Sequence, residues 1–61
     1  MKMRDLIRLL VAHQCHLHRH GSNHDVYINV RNSRKAPIPR HSEIRESLVK
    51  LILKQLDVGI K

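Results

Sequence analysis

The chain is poor in aromatic residues, cysteine and long apolar runs, and each shortage excludes something. Tyr27 is the one aromatic residue in 61, so a core must be built from Leu, Ile and Val. Cys15 is the one cysteine and cannot form an internal disulfide, which favours a reducing, cytoplasmic location. The longest apolar runs, 9–12 and 51–53, are far shorter than the roughly 20 residues that cross a bilayer.

Acidic residues are also scarce. Twelve Lys and Arg against five Asp and Glu give a formal charge of +7 and a pI near 10.6. Such a balance favours a polyanionic partner, with nucleic acid first. A membrane surface is the weaker candidate, because the basic residues are spread through every segment and form no single helix face. A chain of this length makes one domain, 1–61, and buries only about 60% of its unfolded surface.

Hydrophobic periodicity predicts two helices. Apolar residues from 3 to about 13 recur at helical spacing, and so do those from 44 to 56. The start of the second helix is open between Ser42 and Ser47, either of which could be the N-cap. Gly59 is expected to lie past its end.

Three short strands are predicted between the helices. Residues 15–20 alternate, residues 25–30 are rich in β-branched side chains, and 34–39 form a strand that Pro37 confines to a sheet edge. Residues 21–23 and 31–33 are the turns. The fold class is therefore α+β, in the order α-β-β-β-α, with a three-stranded antiparallel sheet and both helices on one face.

Alternation also predicts which side chains share a face of the sheet. On the first strand Cys15 and Leu17 would point inward, and Cys15 would fill the core. The open face would carry Tyr27 together with three histidines, His16, His18 and His20.

Four ordered blocks extend over nearly all of the chain: DLI at 5–7, RHGSNHDVY at 19–27, PIPRH at 37–41 and LILKQL at 51–56. Together they resemble the HicA-type mRNA interferase toxins. The sequence departs from the usual family pattern at Gln14 and Cys15, where a glycine and then an aromatic are common, and at Met3, where a Ser or Thr often caps the first helix.

The resemblance implies a double-stranded-RNA-binding-like fold and an activity. Family members are small endoribonucleases of type II toxin-antitoxin pairs that cut mRNA, use a single catalytic histidine and are neutralised by a HicB-type antitoxin. Carried over by its place in the motif, that histidine is His24. No cofactor is implied, and a homo-oligomer is a further candidate assembly.

The residue types suit this chemistry. RNA can be cut without metal because its 2′-hydroxyl attacks the adjacent phosphorus once a base removes the proton, and His exchanges protons near neutral pH. Cations must stabilise the charge that develops on the phosphate. Asp25 either orients His24 or offsets local positive charge. The candidates for substrate binding are Tyr27, Arg34, Lys35, Arg40 and His41.

Two other readings remain open. A non-catalytic RNA-binding module on the same fold would tolerate loss of the His24 side chain. The three histidines of the first strand could begin a metal site, but same-face neighbours lie about 6.5 to 7 Å apart, so three rings cannot easily meet at one ion. We therefore expect no metal.

His41 also has an alternative interpretation, as a helix-entry residue rather than a substrate contact.

Overall fold

The order of elements is the predicted α-β-β-β-α. The computed structural model describes residues 1–58, so Gly59 lies outside the described residues. The elements are α1 (Met3–Ala12), β1 (Cys15–His20), β2 (His24–Asn29), β3 (Arg34–Pro39) and α2 (Glu46–Gln55). The strands pair antiparallel in the order β1-β2-β3, with β3 at an edge as expected. The predicted double-stranded-RNA-binding-like α+β fold class is thus confirmed.

The core lies between the sheet and the two helices. Cys15 is fully buried, as predicted, and burial raises the pKa of its thiol, so the group remains protonated at neutral pH. The side chains of this core are aliphatic apart from Cys15; from the helices and strands they are Leu6, Leu10, Cys15, Ala36, Ile38, Val49, Ile52 and Leu53.

Helix α2 begins between the two predicted starts, after Ser42 and before Ser47. Its N-cap is Arg45, without a side-chain capping bond, so neither Ser42 nor Ser47 has that role. The reason lies in the preceding segment, where the Ser42 carbonyl accepts a hydrogen bond from the Met3 amide and Ile44 is buried in the core. Residues 42–44 are held against the start of α1, and the helix begins only beyond them.

The buried face of β2 is the opposite of the predicted one. Asn29 is 2% exposed and Tyr27 packs against the core, so both point toward the helices. Tyr27 pairs with Ala36, a buried residue of β3, and this register puts the side of Val26 and Ile28 on the open face. The β2 strand also ends one residue earlier than expected, and Val30 is exposed.

A β-bulge in β1 separates the histidines. Leu17 pairs with Tyr27 and Arg19 with Val26, so His18 is the additional residue between two rungs. Beyond the bulge the alternation is displaced, and His20 pairs with Asp25 on the helix side while His16 pairs with Ile28 on the open face. The prediction that three histidines share one face was therefore wrong, and Leu17 is 44% exposed rather than packed inside.

Candidate functional site

His24 is the first residue of β2 and lies opposite Pro39 of β3. Its side chain is exposed, and strand alternation puts it on the open face with Val26 and Ile28. The hydrogen bonds within residues 1–58 include none from the His24 ring. Both ring nitrogens are therefore available to a ligand.

The turn before His24 depends on glycine. The Gly21 amide donates a hydrogen bond of 2.6 Å to the His24 carbonyl, which closes the turn between β1 and β2. A Cβ on residue 21 would lie 2.5 Å from that same carbonyl oxygen, closer than real Cβ contacts. The backbone can approach this closely only because residue 21 has no side chain.

Asp25 joins the two sides of this turn through its carboxylate. The Oδ1 atom accepts hydrogen bonds from His20 Nδ1 at 2.8 Å and from Arg40 Nε at 2.9 Å. These two bonds lower the pKa of the Asp25 carboxyl below its usual value, and the bond from His20 has the larger effect. Asp25 therefore pairs with His20 and Arg40, and its carboxylate does not orient the His24 ring as one prediction had it.

Arg40 reaches a second acceptor in the same turn. Its Nη2 atom donates a 2.6 Å hydrogen bond to the Gly21 carbonyl, while the side chain remains 44% exposed. Arg40 follows β3, so the guanidinium connects the end of the third strand to the turn between the first two. We call His20, Asp25, Arg40 and the Gly21 carbonyl the turn clamp.

A cleft of about 750 Å³ opens beside the clamp, between the start of α1, the first half of β2 and the end of β3. Ile7, Ile38 and Pro39 line it with apolar surface. Burial, followed by the nearby Asp25 charge, raises the pKa of the Tyr27 hydroxyl, which stays protonated. Three of the predicted substrate contacts, Tyr27, Arg40 and His41, line this cleft, as do Lys2 and Arg4.

Arg34 and Lys35 lie at the other end of β3. Lys35 pairs with Ile28, four residues from the Pro39 that pairs with His24, or about 14 Å along the strand. Alternation puts the Lys35 side chain on the open face with His24 and the Arg34 side chain on the helix side. The predicted substrate contacts thus fall into two groups: the cleft, and the far end of the third strand.

Two contacts of this region were not predicted from the sequence. Alternation groups His20 with the other histidines of the first strand, although a hairpin closed at residues 21–24 pairs it with Asp25 and could have indicated the contact. Asn29 carried no such signal, because its buried hydrogen bond runs to Leu56, which is distant in the sequence. The part of the chain that the structure describes contains no group of three or more His, Cys, Asp or Glu arranged to hold a metal ion.

A scan against protein-family models matches residues 3–58 to the family described as the HicA toxin of bacterial toxin-antitoxin systems. The chain belongs to the HicA toxin family. The match spans both helices and all three strands of the HicA fold. Searches of curated proteins and of solved structures found no match. Within residues 1–58 of this HicA chain, no helix has the length and apolarity that spanning a membrane requires.

Proposed function

We propose that this HicA toxin is a metal-independent endoribonuclease that cleaves mRNA, with His24 as its catalytic histidine. The observation that carries the proposal is the position of His24 at the start of β2. Its ring is exposed and without a hydrogen-bond partner among residues 1–58, while its backbone is held in a closed turn. A free proton-exchanging group on a constrained backbone is what acid–base catalysis requires.

In the proposed reaction His24 acts on the RNA sugar. The imidazole takes the proton from a 2′-hydroxyl, the 2′-oxygen bonds to the adjacent phosphorus, and the bond from phosphorus to the 5′-oxygen breaks. The products are a 2′,3′-cyclic phosphate and a 5′-hydroxyl, which receives its proton from the imidazolium or from water. Charge that develops on the phosphate oxygens is stabilised by nearby cations.

The substrate-binding groups would hold the RNA on both sides of His24. Lys35 shares the open face with His24 and can contact a phosphate about 14 Å away along the strand. Arg40, His41 and Tyr27 would bind the chain where it enters the cleft around the end of the sheet. Arg34, exposed beside Lys35, would add charge at the far end. The formal charge of +7 supports phosphate as the main contact.

The partner that fits a HicA toxin is a HicB-type antitoxin. Both proteins would be located in the cytoplasm, where mRNA is accessible. The family assignment supports a toxin-antitoxin pair. An acidic surface on the antitoxin would complement the basic residues that are available for RNA. Such binding would cover the groups that hold the substrate.

The deciding experiment compares cleavage of a labelled mRNA in EDTA by the wild-type protein and by His24→Ala. We expect the rate to fall by a factor of at least about 10², because a general base typically contributes that much or more, while RNA binding persists. His16→Ala is the matched control, since His16 is also an exposed histidine of the open face and lies outside the turn.

Three outcomes would contradict the proposal. Equal cleavage by both proteins, once contaminating nuclease is excluded, would remove His24 from the reaction. Binding without cleavage by the wild type would favour a non-catalytic RNA-binding module on this fold. Cleavage that EDTA abolishes would contradict metal independence.

A further inference from the structure

We infer that Arg40 is a positioning residue for His24, acting through the turn clamp rather than through the substrate alone. The inference rests on the proposed function for its effect on cleavage, but the clamp itself can be tested without any activity. Arg40 follows β3, whereas both of its acceptors, the Asp25 carboxylate and the Gly21 carbonyl, belong to the hairpin of β1 and β2.

The clamp holds the turn from both ends. The Gly21 carbonyl accepts the Arg40 hydrogen bond of 2.6 Å, and the Gly21 amide donates one of 2.6 Å to the carbonyl of His24. The next residue, Asp25, receives the Arg40 Nε bond at 2.9 Å. The guanidinium is thereby connected to the His24 carbonyl through Gly21, and it bonds directly to the side chain of the next residue, Asp25.

Core packing does not hold this turn. From His16 to Asn23 every residue is exposed except the partly buried Gly21, and His24 is exposed as well. A segment without buried side chains gains its order from hydrogen bonds, or not at all. The hydrogen bonds that order this segment are those of the strand pairing, in which His24 lies opposite Pro39, and those of the clamp, which fix the turn beside it.

Arginine suits this role and lysine does not. The planar guanidinium donates from Nε and Nη2 at fixed angles to two different acceptors, whereas an ammonium is a single point donor. His20 completes the arrangement, because its Nδ1–H bonds to the same Asp25 oxygen at 2.8 Å and holds the carboxylate in place. Arg40→Lys keeps the charge that attracts RNA and removes the two-acceptor geometry.

The first arm of the test is kinetic and uses the full chain. We expect Arg40→Lys to lower kcat by roughly 10- to 100-fold, the range that misplacement of a catalytic group by about 1 Å produces, with KM within about twofold of wild type. Lys35→Ala should show the reverse, a raised KM with kcat nearly unchanged, because Lys35 holds phosphate without contacting the turn. Arg8→Lys, an exposed arginine of α1 outside both groups, is the control.

The second arm measures amide hydrogen exchange by NMR and needs no cleavage. Loss of the Arg40 bond should speed exchange of the Gly21 amide by about tenfold, the effect of one charge-assisted hydrogen bond. The Ile52 amide in α2 reports global unfolding, and its rate should not change. Asp25→Asn should speed Gly21 exchange too, and the double variant with Arg40→Lys should add little, since the two residues act as a unit.

Each result decides between the claims. Unchanged Gly21 exchange in Arg40→Lys would show that the clamp does not hold the turn and would overturn the inference. Faster exchange with unchanged kcat would show a clamp that does not position His24, which also overturns it. If the wild-type protein does not cleave RNA, the proposed function fails, and the exchange data still decide whether Arg40 orders the turn.

Discussion

At three residues within 1–58 the backbone adopts a left-handed conformation without glycine. Gln14, Ser33 and Asp57 have φ values of 65°, 64° and 55°, respectively. Gln14 follows the C-cap of α1, the position where helices most often end in glycine, and the resemblance to the family indicated a glycine there. The departure from the family pattern therefore has a local cost in stability, since a Cβ disfavours this conformation.

We predict that Gln14→Gly stabilises the protein by roughly 1 kcal/mol, because glycine adopts positive φ without the clash of a Cβ. The measurement is the free energy of unfolding from urea denaturation. Gln14→Ala is the control, since alanine keeps the Cβ and should bring no gain. Equal effects of glycine and alanine would show that the φ angle is not the cause.

The end of α2 and the end of β2 are joined by one buried side chain. Asn29 Nδ2 donates to the Leu56 carbonyl at 2.8 Å, and Asn29 Oδ1 accepts the Arg31 amide at 2.9 Å. The helix itself ends in a Schellman arrangement, in which the Val58 amide bonds to the Leu53 carbonyl. Asn29, the last residue of β2, thus donates a hydrogen bond to a carbonyl at the end of α2 and holds that end of the helix against the sheet.

We predict that Asn29→Ala lowers the free energy of unfolding by about 2 to 3 kcal/mol, because it removes the buried, shorter hydrogen bond to the Leu56 carbonyl and leaves the Arg31 amide without its Asn29 partner. Asn32 provides a matched control within the same contact. Its Nδ2 also donates to the Leu56 carbonyl, at 3.3 Å, but the residue is exposed, and Asn32→Ala should cost less than about 1 kcal/mol. Similar losses for both variants would contradict the special role of Asn29.

For the whole molecule, the basic residues that give the charge of +7 differ in their surroundings: some are bonded within the protein and others are exposed. Arg40 is engaged in the turn clamp, whereas Lys35 is exposed on the open face that also carries His24. RNA binding should therefore weaken steeply with salt, since each phosphate contact releases counterions.

We predict that Lys35→Ala flattens the plot of log K against log salt by about one unit, the share of one phosphate contact. Fluorescence anisotropy with a labelled RNA in the His24→Ala background avoids cleavage during the titration. Arg8→Ala, on the outer side of α1, should leave the slope unchanged. A slope that Arg8→Ala and Lys35→Ala change equally would indicate a diffuse charge effect and no defined contact.

The order of the elements and most of their bounds could be predicted from the sequence by itself. Helix periodicity, strand alternation and the turn residues are local patterns, and the structure confirms α1, β1 and β3 to within one residue. The family could be recognised in the same way, because its blocks are contiguous in the chain. The burial of Cys15 also followed from alternation.

Only the tertiary structure decided which face of β2 is buried and what Asp25 contacts. Alternation predicted that Tyr27 lies on the open face, yet its pairing with the buried Ala36 and the bonding of Asn29 to the end of α2 show that this side of the strand faces the helices. The bulge in β1 then placed His20 beside Asp25. These outcomes depend on register and on contacts between distant residues, whose energies a local pattern does not contain.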